Sequence, residues 1–110
     1  MKPFLTEEEG EEYLIQLEFI MNRINEVLYS LEFDIVEKIN LIGKCKSFED
    51  SVIYFDYIRS KLSFIYRCRM KYKIELSDRL SKIIDDFERT DVFYTKKMLW
   101  EKISSGLYEL

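Results

Sequence analysis

Between Gly10 and Gly106 the chain has one glycine, Gly43, and no proline. Tight hairpin turns need residues that accept positive φ or arrive with φ already fixed, so an all-β sandwich would lack its punctuation. A phosphate-cradling loop would lack its glycines. What remains is an all-α fold, and 110 residues support one helical domain spanning 1–110. The sequence carries 13 Ile, 12 Leu, eight Phe and eight Tyr but no Ala, so nearly every core position must hold a large side chain. Such a composition is what an AT-rich gene encodes, as in low-GC bacteria and their phages.

Apolar spacing supplies the helices. Thr6-Glu7-Glu8-Glu9 is a capping box, in which the threonine oxygen and the third glutamate satisfy amides that the first turn leaves open. Tyr13, Leu17, Ile20, Ile24, Val27 and Leu31 follow at 4-3-4-3-4 spacing, one stripe of an amphipathic helix. Asp34 opens a second capping pattern, which predicts a break or kink near Phe33, although Leu31, Ile35, Ile39 and Ile42 would extend the same stripe. Gly43 is expected to end this segment in the left-handed conformation. Ser47 caps the next helix, predicted to be the longest, with Phe48, Phe55, Ile58, Leu62, Ile65, Tyr72 and Leu76 facing the core. Ser77 caps a helix carrying Leu80, Ile83, Ile84 and Phe87, and Thr90 or Asp91 one carrying Val92, Met98, Leu99, Trp100 and Ile103. Short connections make neighbours antiparallel, so the expected architecture is an antiparallel bundle of four to five helices.

The net charge of −4 hides an asymmetry. Residues 1–57 hold 13 acids and five bases, and residues 58–110 hold eight acids and 12 bases. Glu7, Glu8, Glu9, Glu11 and Glu12 cluster near the start, where acids suit the helix dipole and can also steer the chain toward a basic partner. Arg59, Lys61, Arg67, Arg69, Lys71 and Lys73 follow one another with no acid between them. Interleaved with Phe64, Tyr66 and Tyr72, they have the cations and rings of a nucleic-acid surface. Arg69 falls on the core stripe of its helix, where a guanidinium needs a carboxylate, and Glu18 is level with it. Self-pairing of this helix would be repulsive unless the acidic N-terminus intervened. Tyr54 and Tyr57 fall beside stripe positions and are candidate interface anchors.

Catalytic chemistry has little to work with. No His is present, which removes the commonest general base and metal ligand, together with the Glu-x-x-His pairs of dimetal bundles. Cys45 and Cys68 have no CxxC spacing and read as free thiols in a reducing compartment; Lys44 and Lys46 are expected to lower the pKa of Cys45. Glu8-x-x-Glu11, Glu9-x-x-Glu12, Glu75-x-x-Asp78 and Glu88-x-x-Asp91 resemble the acidic pairs of MazG-like nucleotide pyrophosphatases. That resemblance implies an all-α Mg²⁺-dependent hydrolase with carboxylates sharing a hard cation. No apolar run is long enough to cross a membrane and no signal peptide opens the chain, so a cytoplasmic protein is expected.

The expectation is therefore a non-enzymatic, cofactor-free binding protein, monomeric or homodimeric, with another protein as partner and no membrane. It would be a stoichiometric inhibitor, immunity factor or adaptor docking an acidic and aromatic surface on a basic partner. Size and composition resemble phage anti-defence proteins, including anti-CRISPR proteins, and bacteriocin immunity proteins. A nucleic-acid binder using residues 59–73 is the alternative, and the Mg²⁺ hydrolase a second one.

Overall fold

The structure, a computed structural model, describes residues 6–110, so Pro3 lies outside the described residues. Four helices follow in order: α1 (Glu7–Lys44), α2 (Phe48–Tyr72), α3 (Asp78–Phe87) and α4 (Phe93–Ser104). No strand occurs among the described residues. The all-α bundle has four helices because the first two expected segments are one.

The capping box at the start of α1 forms as read, with the Glu9 amide donating to Thr6 Oγ1 at 3.1 Å. The expected break near Phe33 does not occur. Asp34 caps nothing; its carboxylate accepts from Tyr57 Oη on α2 and, at 3.2 Å, from Lys38 Nζ one turn on. With that side chain engaged elsewhere, the stripe runs unbroken through Leu28, Ile35, Ile39 and Ile42, all buried.

Gly43 also has a different role from the one expected. It lies inside α1, and a Cβ placed there would sit 3.4 Å from Ile103 Cγ2 and 3.5 Å from the Ile103 carbonyl oxygen. Its missing side chain lets α4 close on the end of α1. The helix stops one residue later, at Lys44, where the Cys45 amide bonds to Ile42 O.

Ser47 caps α2, accepting from the Asp50 amide at 3.3 Å. Phe48, Phe55, Ile58, Leu62 and Ile65 then face the core, with buried Ser51 satisfied by the Phe48 carbonyl at 2.6 Å. Lys73 takes the left-handed conformation at φ 52° and ends the helix, so Leu76 packs against the core from the link that follows it. Ser77 caps α3 as read. Neither Thr90 nor Asp91 caps α4, which starts from Val92 without a side-chain bond. Thr90 is buried and its hydroxyl donates back to Phe87 O at 2.8 Å, which closes the turn after α3.

One core cluster draws on all four helices, from Ile35, Ile39 and Ile42 through Phe55, Ile58 and Ile65 to Ile83, Phe87 and Leu99. Phe55 and Phe87 meet at a centroid distance of 5.6 Å, and Tyr108 folds back edge-on to Phe87. The Gly43 contact is directly testable. Gly43→Ala makes ordinary contact and removes a helix-interior glycine, so urea denaturation should show a gain of up to about 1 kcal/mol. Gly43→Leu should lose about 1–3 kcal/mol by forcing α4 away.

Candidate functional site

Two helices of unequal length joined by a three-residue turn cannot cover each other fully. Asp34 meets Tyr57, and Ile24 shares a small apolar cleft with Cys68, so α1 and α2 run antiparallel from the Cys45–Ser47 connection. With 38 residues against 25, α1 outruns α2 by 13 residues, about 20 Å at the helical rise. The molecule is accordingly 61 Å long and 23 by 20 Å across.

That overhang is an arm, and every residue from 11 to 20 on it is exposed. The 3.6-residue period places Tyr13, Leu14, Leu17 and Ile20 on the side that further along buries Leu28 and Ile35. Glu8, Glu12, Ile15 and Phe19 occupy the outward side, and Glu7, Glu11 and Glu18 form a row along one edge. Tyr13 is 56% and Phe19 72% exposed, so the arm is both acidic and aromatic. The glutamate cluster was legible in the sequence. Ile15 and Phe19, two large apolar residues off the stripe of an amphipathic helix, are themselves a signal of surface use.

Tyr54 and Tyr57 do not join this surface. Tyr54 packs half-buried against the core. Tyr57 donates to Asp34, with Lys38 and Lys61 over its ring at 5.0 and 5.1 Å, some 22 residues along α1 from Glu12 and thus about 33 Å away. Both tyrosines have intramolecular work.

The cations of α2 are spread around the helix. Lys61 faces Tyr57, Lys71 lies over Tyr72 at 5.3 Å, and Lys73 forms the left-handed end. Arg59, Arg67 and Arg69 line a cleft of about 850 Å³ between α2 and α3, together with Tyr66, Asp85 and Glu88. Arg69 is exposed and makes no ion pair, which corrects its expected burial against Glu18. The reason is the path of the chain: residues 73–77 run back along α1 until Ser77 and Arg79 meet Glu32, so α3 starts level with the middle of α2. Cys68 and Tyr72 make the final contacts with α1's side of the core instead.

The acidic pairs do not assemble a cation site. Glu75 lies in the extended link before α3, Glu88 caps the C-terminal end of that helix, and Asp91 is in the following turn. Among the described residues no group of three or more metal-ligating side chains comes together. The Cys45 thiol is pushed up, by burial first and then by the Asp50 charge, contrary to the lowering expected from its lysine neighbours. Its Sγ points back along α1 and donates to Leu41 O at 3.3 Å.

Fold and surface together define a small all-α bundle bearing an exposed acidic and aromatic helical arm. Over residues 6–105 the chain matches the family model described as "Immunity protein CdiI-like", and it belongs to that CdiI-like immunity protein family. No curated protein and no solved structure matches it. Membership implies a protein partner, the toxin against which immunity is held. No helix among the described residues is long and apolar enough to cross a membrane.

Two carboxylates tie the helices together and set an acid limit. The Tyr57 hydroxyl, ahead of Lys38, holds Asp34 below its ordinary 3.8. Burial opposes ionisation of Glu32, but hydrogen bonds from Ser77 and from Arg79, at 2.8 Å, together with the Arg79 charge, outweigh it and bring Glu32 below 4.5. A carboxyl depressed on folding stabilises above its unfolded pKa, and that contribution fades as pH falls through the folded value. Thermal midpoints should therefore hold from about pH 7 to about pH 5 and drop below about pH 4. Tyr57→Phe should lower the thermal midpoint at neutral pH and show a shallower acid drop.

Proposed function

We propose that this chain neutralises a toxin by stoichiometric binding, with the acidic arm of α1 docked on a basic toxin surface of the kind that holds nucleic acid. The observation that supports this is the overhang itself. Glu8, Glu12, Ile15 and Phe19 project from a helix that the bundle leaves bare, and Glu7 and Glu11 flank them. An inhibitor of this kind needs a rigid shape, steering charge and apolar anchors, and no catalytic group or cofactor. Family membership favours the immunity branch of the inhibitor reading over the phage anti-defence branch. The reading places residues 1–110 as one unit in the cytoplasm, where Cys45 and Cys68 stay reduced.

Capture from lysate of the source organism at about 50 mM and about 300 mM salt tests the partner, because exposed charge contacts are screened over that range. A single toxin retained best at low salt, and unable to stop growth when the chain is co-produced, is the expected result. Glu8→Gln/Glu12→Gln should then slow association severalfold and flatten its salt dependence, and adding Phe19→Ala should speed dissociation. A triple variant that binds and protects like the parent would remove the arm from the contact. Recovery of nuclease-sensitive material alone would overturn the toxin reading in favour of nucleic acid.

A further inference from the structure

The inward side of the arm is a separate surface from the outward side just assigned. Tyr13, Leu14, Leu17 and Ile20 continue the stripe that buries Leu28, Ile35, Ile39 and Ile42, yet Leu14 is 63% exposed and even Leu17 is 36% exposed. A stripe built to the same period as a core, and running past the point where α2 stops, is an unfinished helix–helix interface. Leaving several large apolar side chains open in water is unfavourable by roughly 25 cal/mol per Å² of apolar area.

We propose that a second copy of this chain covers that stripe, the two arms packing antiparallel about a two-fold axis. Charge decides the occupant. On the arm, Glu7, Glu11 and Glu18 run along the edge of the apolar stripe. At the far end of α2 stand Arg67, Arg69, Lys71 and Lys73, with no acid among residues 67–73. Within one molecule no ion pair joins Glu7, Glu11 or Glu18 to any of those four cations. The arm carries Glu7 and Glu11 well past the end of its own α2.

A two-fold axis through the arm supplies the missing match. When two arms lie side by side in opposite directions, each tip extends past its own bundle toward the open end of the other. There the acidic tip of one copy meets the basic end of the partner's α2, and the arrangement repeats identically on the other side, as an isologous interface requires. Exposed Phe64 and Met70 near that end of α2 add apolar surface next to the incoming arm. Parallel pairing would instead set glutamates against glutamates and leave the cations unmatched. The arm is also outside the bundle, so covering it requires no rearrangement of the core.

The mass of the purified chain in solution tests this without any toxin, so its outcome is distinct from that of the immunity reading. Sedimentation velocity at low salt should give about twice the monomer mass of 13.4 kDa. Leu17→Glu should weaken the dimer by more than about tenfold, with helix content unchanged by circular dichroism. Glu7→Lys/Glu11→Lys should also favour monomer, and adding Arg67→Glu/Lys71→Glu/Lys73→Glu should restore the dimer. That rescue keeps the test sharp even if Leu17→Glu disturbs the helix. A monomer at every concentration up to about 100 µM, tenfold or more above the Kd range expected of a specific contact, would overturn the proposal and leave the stripe to another protein. A dimer indifferent to both sets of charge changes would place the interface elsewhere.

Discussion

Ile35, Ile39 and Ile42 of α1 share one core with Phe55, Ile58 and Ile65 of α2, and this antiparallel pairing is what the rest of the molecule rests on. Each such side chain contributes about 1.5–3 kcal/mol on full burial, so the pair of helices holds most of the driving force before the shorter helices arrive. α3 and α4 complete it from the other side through Ile83, Phe87 and Leu99. Gly43 lies beneath Ile103 where α1 and α4 cross, a position with room for a Cβ but for little more. The Tyr57–Asp34 and Arg79–Glu32 contacts then fix register between elements that apolar packing alone would hold less specifically.

The arm follows from this pairing. A helix of 38 residues set against one of 25, with a tight turn at one end, must project at the other. An isolated helical segment of 13 residues is marginal in water, since nucleation is costly. Here the nucleus is the bundle, from which the arm propagates, while the Thr6 cap and the glutamates of the first turn satisfy its far end. The acids thus have a structural task and also give the projection its charge. Immunity function, in this account, uses a surface that the fold creates by leaving a helix longer than its support.

Much of the fold was legible in the residues, because periodicity is a local signal. The Thr6, Ser47 and Ser77 caps and the stripes of α1 and α2 read directly from spacing. The readings that failed concern competition between local and tertiary partners. Asp34 had cap chemistry but found Tyr57 across the bundle, and Thr90 had cap chemistry but turned back to Phe87. Gly43 had the chemistry of a helix end but served a helix crossing. Arg69 sat on a core stripe that runs past the level at which α3 starts. At the candidate site the glutamate cluster was visible, but its isolation from the basic run was not, because the lengths of α1 and α2 depend on the absence of the break at Phe33. The separation of Tyr54 and Tyr57 from the arm has the same cause.

Zero-length carbodiimide cross-linking of the complex with its captured toxin tests the central claim most directly, because it joins only carboxylates and lysines already in contact. Mapped by mass spectrometry, the linked residues on this chain should be Glu8 and Glu12, joined to lysines of the toxin and lost at high salt. Cross-links confined to Asp85, Asp86 or Glu88 beside the α2–α3 cleft, with the arm unmodified, would contradict the account and move the toxin contact to the opposite end of the charge distribution.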